Sequence, residues 1–176
     1  MTYENHNNYT NKNLITIPVN VTPLSTIFDR SIKVSEFLNL GELYDATKIL
    51  DKTDLFSTGI TFDKRLLEIH TYIRKALNNA LYVGSLGRSL EWEHYKNRDG
   101  TSQHVNLIAI DLNGMGLVDL IQNAVKTQNQ IYTDLRRMGV NSFGLYDWGV
   151  HLDLRPAQSD GNIYFWDYQK KKLKQH

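Results

Sequence analysis

Residues 102–114 read SQHVNLIAIDLNG, and the fold is decided by how that stretch is read. Its apolar middle has the length and character of a buried strand. Yet His104 precedes that run and Asp111 lies in it, seven positions further on. A second stretch, LYDWGVHLDLRP at 145–156, sets His151 and Asp153 among apolar residues in the same way. Either these are polar residues at strand ends, or they converge on a metal ion.

The segments around the two stretches give an α+β chain. DKRLLEIHTYIRKALNNAL at 63–81 carries apolar residues at the helical period, with Asp63 as N-cap and His70 at the helix surface or boundary. GLVDLIQNAVKTQNQIYTDLRRMG predicts one long helix ending at Gly139, with Arg136 and Arg137 at the carbonyl end of its dipole. Ser35 is an N-cap candidate for a short helix around Glu36 to Leu40. LYVGS, HVNLIAIDL, SFGLY, GVHLDLR and NIYFWDY predict strands. PAQSDG has the composition of a hairpin loop between the last two, and LGRSLEWEHYKNRDGT reads as a loop. The architecture expected is a mainly antiparallel sheet with helices packed on one side.

The 176 residues fit one domain with a core, and 41% hydrophobic against 22% charged residues is ordinary for a globular chain. A polar and extended N-terminal arm covers 1–29, the domain 30–168, and a basic tail 169–176. A net charge of +1, with no basic stripe in the body, argues against specific nucleic-acid binding. No cysteine is present, which excludes disulfides, thiolate metal sites and cysteine nucleophiles. No run approaches the ~20 apolar residues of a membrane span. LITIPVNV is too short and too broken by proline for a signal peptide, so none is expected.

Zinc takes histidine nitrogen and carboxylate oxygen, and a catalytic site keeps three protein ligands and a water. His104, Asp111 and His151 would supply such a set. Strand alternation places Asp147, Gly149, His151 and Asp153 on one face, with Gly149 leaving room beside the ligand. The spacing of His104 and Asp111 does not suit one face of a flat strand. A loop or bulge must therefore follow His104, with Asp111 at the far end of the strand.

With these residues assembled, the sequence resembles the zinc D-alanyl-D-alanine carboxypeptidases and the related L-alanyl-D-glutamate and murein endopeptidases. That family carries S-x-H-x-x-G-x-A-x-D; SQHVNLIAID supplies Ser102, His104, Ala109 and Asp111. Its strand of V-H-x-D type is matched by GVHLD, and GVNSFGLYDWG is similar to the glycine-rich run before it. IKVSEFL looks like the family's opening S-E-F, and SLGRS like its S-G-Y-R-S loop, which aligns Arg88. The resemblance runs from about residue 30 to 168 in consistent order. It implies a hedgehog-type fold and a Zn²⁺-dependent peptidase acting on peptidoglycan stem peptides. His104, Asp111 and His151 would be the ligands, and Arg88 would face the carbonyl oxygen. Ser102 would hold its loop or touch substrate, and Tyr146 and Trp148 would shape the groove.

Two positions depart from the family pattern. Leu107 stands where the family has glycine, a residue that marks irregular backbone or close packing. Trp148 stands where many members place the catalytic acid, which leaves Asp147 and Asp153 as candidate bases. The implied place of action is the bacterial wall or periplasm, reached by holin-type release or in a virion. The alternative is a virion or envelope attachment protein that reuses the fold, with the N-terminal arm docking on other virion proteins.

Overall fold

The computed structural model describes residues 12–19 and 29–169. The polar arm to residue 11, the stretch 20–28 and the basic tail from 170 lie outside the described residues. The strands are β1 (Leu14–Ile17), β2 (Ile60–Asp63), β3 (Tyr82–Ser85), β4 (Ala109–Asn113), β5 (Ser142–Tyr146), β6 (Gly149–Asp153) and β7 (Tyr164–Asp167). The helices are α1 (Leu40–Ala46), α2 (Leu55–Thr58), α3 (Arg65–Leu77), α4 (Leu90–Tyr95), α5 (Leu117–Thr127) and α6 (Gln130–Arg137). The class is α+β. None of the helices among the described residues is long and apolar enough to cross a membrane.

A five-stranded sheet has the order β3-β4-β6-β5-β7, antiparallel except for the β5–β7 pair. Alternation gives its faces different work. Ile110, Leu112, Phe143, Leu145, Val150 and Leu152 point to one side and are fully buried in the main core, with α5 packed on β5 and β6. The other side carries the polar residues. Leu14–Ile17 of the expected extended segment pairs with β2 in a separate two-stranded sheet, and Val19 joins the core.

The structure corrects several sequence expectations. PAQSDG is not a hairpin loop: β6 already has β4 and β5 on its two edges, so the chain returns to lay β7 parallel on the far side of β5. The long helix is two, because Gln128 turns left-handed (φ 48°) and the Asn129 side chain caps α6 by accepting from the Ile131 and Tyr132 amides. Helix α1 starts at Leu40, where Asn39 and Glu42 form a reciprocal capping box; Ser35 instead accepts from the Leu38 amide in the preceding bend. Asp63 ends β2, and α3 stops at left-handed Asn78. His70 is not a surface residue but fully buried, its Nε2 3.3 Å from the Leu81 carbonyl. The expected loop after β3 contains α4, capped by Ser89. Since α4 borders the sheet's polar side, the helices are not confined to one side.

Candidate metal centre

The site is one register line drawn across the sheet. Ser85 of β3 pairs with Asp111 of β4, Asp111 with His151 of β6, His151 with Gly144 of β5, and Gly144 with Trp166 of β7. Partners across a strand pair face the same way. Asp111 and His151 are thus brought together by pairing alone, 40 residues apart in sequence.

His104 enters from outside the sheet. Its segment is a tight turn in which Ser102 Oγ accepts from the His104 amide, the Ser102 carbonyl from the Val105 amide, and the His104 carbonyl from the Leu107 amide. The turn closes at Leu107, whose φ is 62°. This is the irregular backbone that a glycine would mark, adopted by a leucine at a cost of about 1–2 kcal/mol. The buried Leu107 side chain leans against Gly87, where an added Cβ would come within 3.0 Å of it.

The three ligand atoms form a small triangle. His104 Nε2 lies 3.0 Å from Asp111 Oδ1 and 3.2 Å from His151 Nδ1, and that Nδ1 is 2.8 Å from the same Oδ1. All three residues are buried. The outer ring nitrogens are committed elsewhere. His104 Nδ1 donates to the Leu86 carbonyl (2.5 Å), and His151 Nε2 donates to Asp153 Oδ2 (3.0 Å). Those bonds set both tautomers, so the inner nitrogens of the neutral rings carry lone pairs. Two nitrogen lone pairs and a carboxylate oxygen then face one another at contact distance, an arrangement that can hold a cation. Tetrahedral ligands about 2.0–2.1 Å from a metal stand roughly 3.3–3.4 Å apart, so the triangle needs only slight expansion. Imidazole and carboxylate donors without thiolate are compatible with a divalent ion.

Charge follows the same geometry. Burial would raise the Asp111 carboxyl, but the two imidazoles packed against it, which can take up a proton on its behalf, outweigh burial and hold it well below the usual range. Burial pushes His104 down. Burial also opposes charge on His151, but bonds to Asp111 and Asp153 win and raise it. A proton on His151 is the relief open to the triangle when no metal neutralises it.

Supporting groups surround the triangle. Arg88 Nη2 donates to Asp111 Oδ2 (2.7 Å), its Nε to Ser85 Oγ (2.9 Å), and its Nη1 to Glu93 Oε1 (3.3 Å). Asp153 is fully buried and held by three nitrogens of Arg155 as well as by His151. Burial would raise its carboxyl, but the bonds from His151 and Arg155 lower it to about 2. The Trp166 ring sits 5.6 Å from that of His151. It can lie there because Gly144 has no side chain: a Cβ would be 2.4 Å from the indole.

The cleft over the triangle measures about 910 Å³ and is lined by Arg88, Ser102, Tyr146 and Trp148 together with the three ligand residues. These are all but two of the residues singled out in the sequence. Asp153 lies behind His151. Asp147 is exposed in the two-residue turn between β5 and β6, so strand alternation does not extend to it. Sequence reasoning missed Arg98, Arg155 and Trp166, and gave Glu93 no role. Buried Glu93 accepts from both Arg88 and Arg98 across α4, whose six residues are too few for a periodic signal. His94 on the same helix is exposed. Compared with known proteins, the chain matches no protein-family model, no curated protein and no solved structure.

Proposed function

We propose that the protein is a zinc-dependent peptidase that hydrolyses the stem peptides or cross-links of peptidoglycan, with the hedgehog-type fold of the carboxypeptidases its motifs resemble. One observation carries the reading: the inner nitrogens of His104 and His151 and one oxygen of Asp111 converge at the floor of an open cleft, with both tautomers fixed from behind. The motif order in the sequence supports the substrate class.

His104, Asp111 and His151 would hold the zinc. Bound zinc supplies Lewis acidity and an acidified water. Arg88 anchors the outer oxygen of Asp111 and presents its guanidinium to the cleft, where it stabilises negative charge growing on a carbonyl oxygen. Ser102 holds the turn that aims His104. Tyr146 and Trp148 wall the groove. Asp153 keeps the His151 proton on Nε2 and so acts as a positioning residue. Asp147 receives no role, since it sits in an exposed turn and does not line the cleft. Action at the bacterial wall, after release through the membrane or from a virion, belongs to the same proposal and rests on the resemblance.

The test is digestion of purified sacculi and muropeptides by zinc-loaded wild type and His151→Ala, with products separated by chromatography and weighed by mass spectrometry. Wild type should release peptide fragments and the variant none. A folded, metal-loaded wild type that cuts no wall preparation would overturn the peptidase reading and leave the metal centre standing.

A further inference from the structure

One wall of the cleft is a ledge of aromatic rings that no zinc ligand needs. Trp148 sits in the two-residue turn between β5 and β6 and is 50% exposed. Its ring stacks on Tyr146, with centroids 4.8 Å apart and 18° between planes. Tyr146 in turn meets Tyr168 at 5.3 Å and 32°. The Tyr146 hydroxyl accepts from Trp166 Nε1 at 2.9 Å, which ties the ledge to the ring beside His151. A large aromatic at a hairpin tip has no core to serve, and its exposure beside a cleft marks a binding surface.

The rest of the lining includes uncharged polar groups. Asn97, Thr101 and Gln103 supply amides and a hydroxyl. The charged residues of the cleft balance, with Arg88, Arg98 and Arg155 against Glu93, Asp99 and Asp111. Each of those arginines is already in an ion pair: Arg88 with Asp111 and Glu93, Arg98 with Glu93, Arg155 with Asp153. With these charges balanced, the cleft side chains offer no excess positive charge to favour a phosphate-bearing ligand. An apolar side chain would cover the rings and leave the amides of the lining without partners. An uncharged ring with an apolar C–H face and a rim of hydroxyl and amide groups satisfies both.

We propose that the Trp148–Tyr146–Tyr168 ledge is a saccharide subsite that stacks a pyranose of an N-acetylated sugar. This deepens the peptidase reading, on which it rests for the adjoining peptide: the substrate class becomes a stem peptide still attached to its glycan. Carbohydrate recognition itself involves no zinc ligand.

The probe is the β-1,4-linked tetramer of N-acetylglucosamine, titrated into the full chain and followed by nuclear magnetic resonance of the indole N–H groups. The chain has three tryptophans, so each signal reports a separate place. The signals of Trp148 and Trp166 should move and saturate, while that of Trp92, which does not line the cleft, should stay. Trp148→Ala should weaken binding roughly tenfold, the scale of one lost stacking contact, with zinc content unchanged. Wild type stripped of zinc by a chelator should still bind the tetramer, so failure of the metal centre and failure of the ledge read differently. No movement at Trp148 up to millimolar saccharide, movement at Trp92 alone, or undiminished binding by Trp148→Ala would overturn the proposal.

Discussion

Replacing Asp153 by asparagine tests how the fold prepares His151 to bind a metal. The carboxylate is fully buried and takes His151 Nε2 at 3.0 Å on Oδ2, with Arg155 Nε at 2.8 Å on Oδ1 and Arg155 Nη2 at 2.6 Å on Oδ2. Because it accepts on both oxygens, it keeps the imidazole proton on Nε2 and leaves Nδ1 free to bind. Asparagine offers a single acceptor oxygen, and the Arg155 guanidinium competes for it. The amide nitrogen then faces His151 as a donor, and the ring proton moves to Nδ1, the ligand atom. Loss of such an orienting partner lowers metal affinity by roughly 10–100-fold, about 1.4–2.7 kcal/mol. Competition with a chromogenic zinc chelator measures the affinity, and long-range nitrogen spectra of the imidazoles identify the tautomer. Affinity within twofold of wild type, with the proton still on Nε2 and turnover lost, would refute this reasoning and make Asp153 a proton carrier instead.

Gly144→Ala places a Cβ 2.4 Å from the Trp166 indole, so the ring must leave His151; a falling Trp166 fluorescence signature and weaker zinc binding should appear together. Leu107→Gly relieves a left-handed leucine but removes a buried side chain. With large-to-small losses of about 2–5 kcal/mol against a relief of about 1–2, the net should be a destabilisation on the order of 2 kcal/mol in urea unfolding. Burial lowers the pKa of His70, so the folded chain holds it neutral while the unfolded chain protonates it below about 6.5. Its contribution is present above that pH and is lost as pH falls toward the lowered folded value. In His70→Leu the slope of stability against pH in that window should be shallower, by up to about 1.4 kcal/mol per pH unit, than in wild type.

Strand alternation was enough to put His151 and Asp153 on one face, and the awkward His104–Asp111 spacing was enough to demand a turn before the strand. Leu107 shows how local the missing information was. Its anomaly is visible as a leucine where a glycine is expected, but the left-handed backbone that explains it appears only in three dimensions. Sheet order was not legible, because β7 could have paired with β6 by composition, and only the occupied edges of β6 send it to β5. Trp166 was hidden for the same reason: its place over Gly144 is a matter of register between strands about twenty residues apart. Glu93 was hidden because a helix of one and a half turns leaves no periodic trace, and its partners Arg88 and Arg98 lie on both sides of that helix. Asp147 marks where strand alternation stops being a guide, since the alternation that places His151 ends where the hairpin turns.

The central claim is that His104, Asp111 and His151 hold one metal ion. X-ray absorption at the zinc edge, on protein dialysed against limiting zinc, tests it most directly. It should show one equivalent of zinc bound by two imidazoles and oxygen, lost in His104→Ala and His151→Ala alike. A well-folded wild-type protein that takes up no zinc, or zinc that stays in both variants, would contradict it.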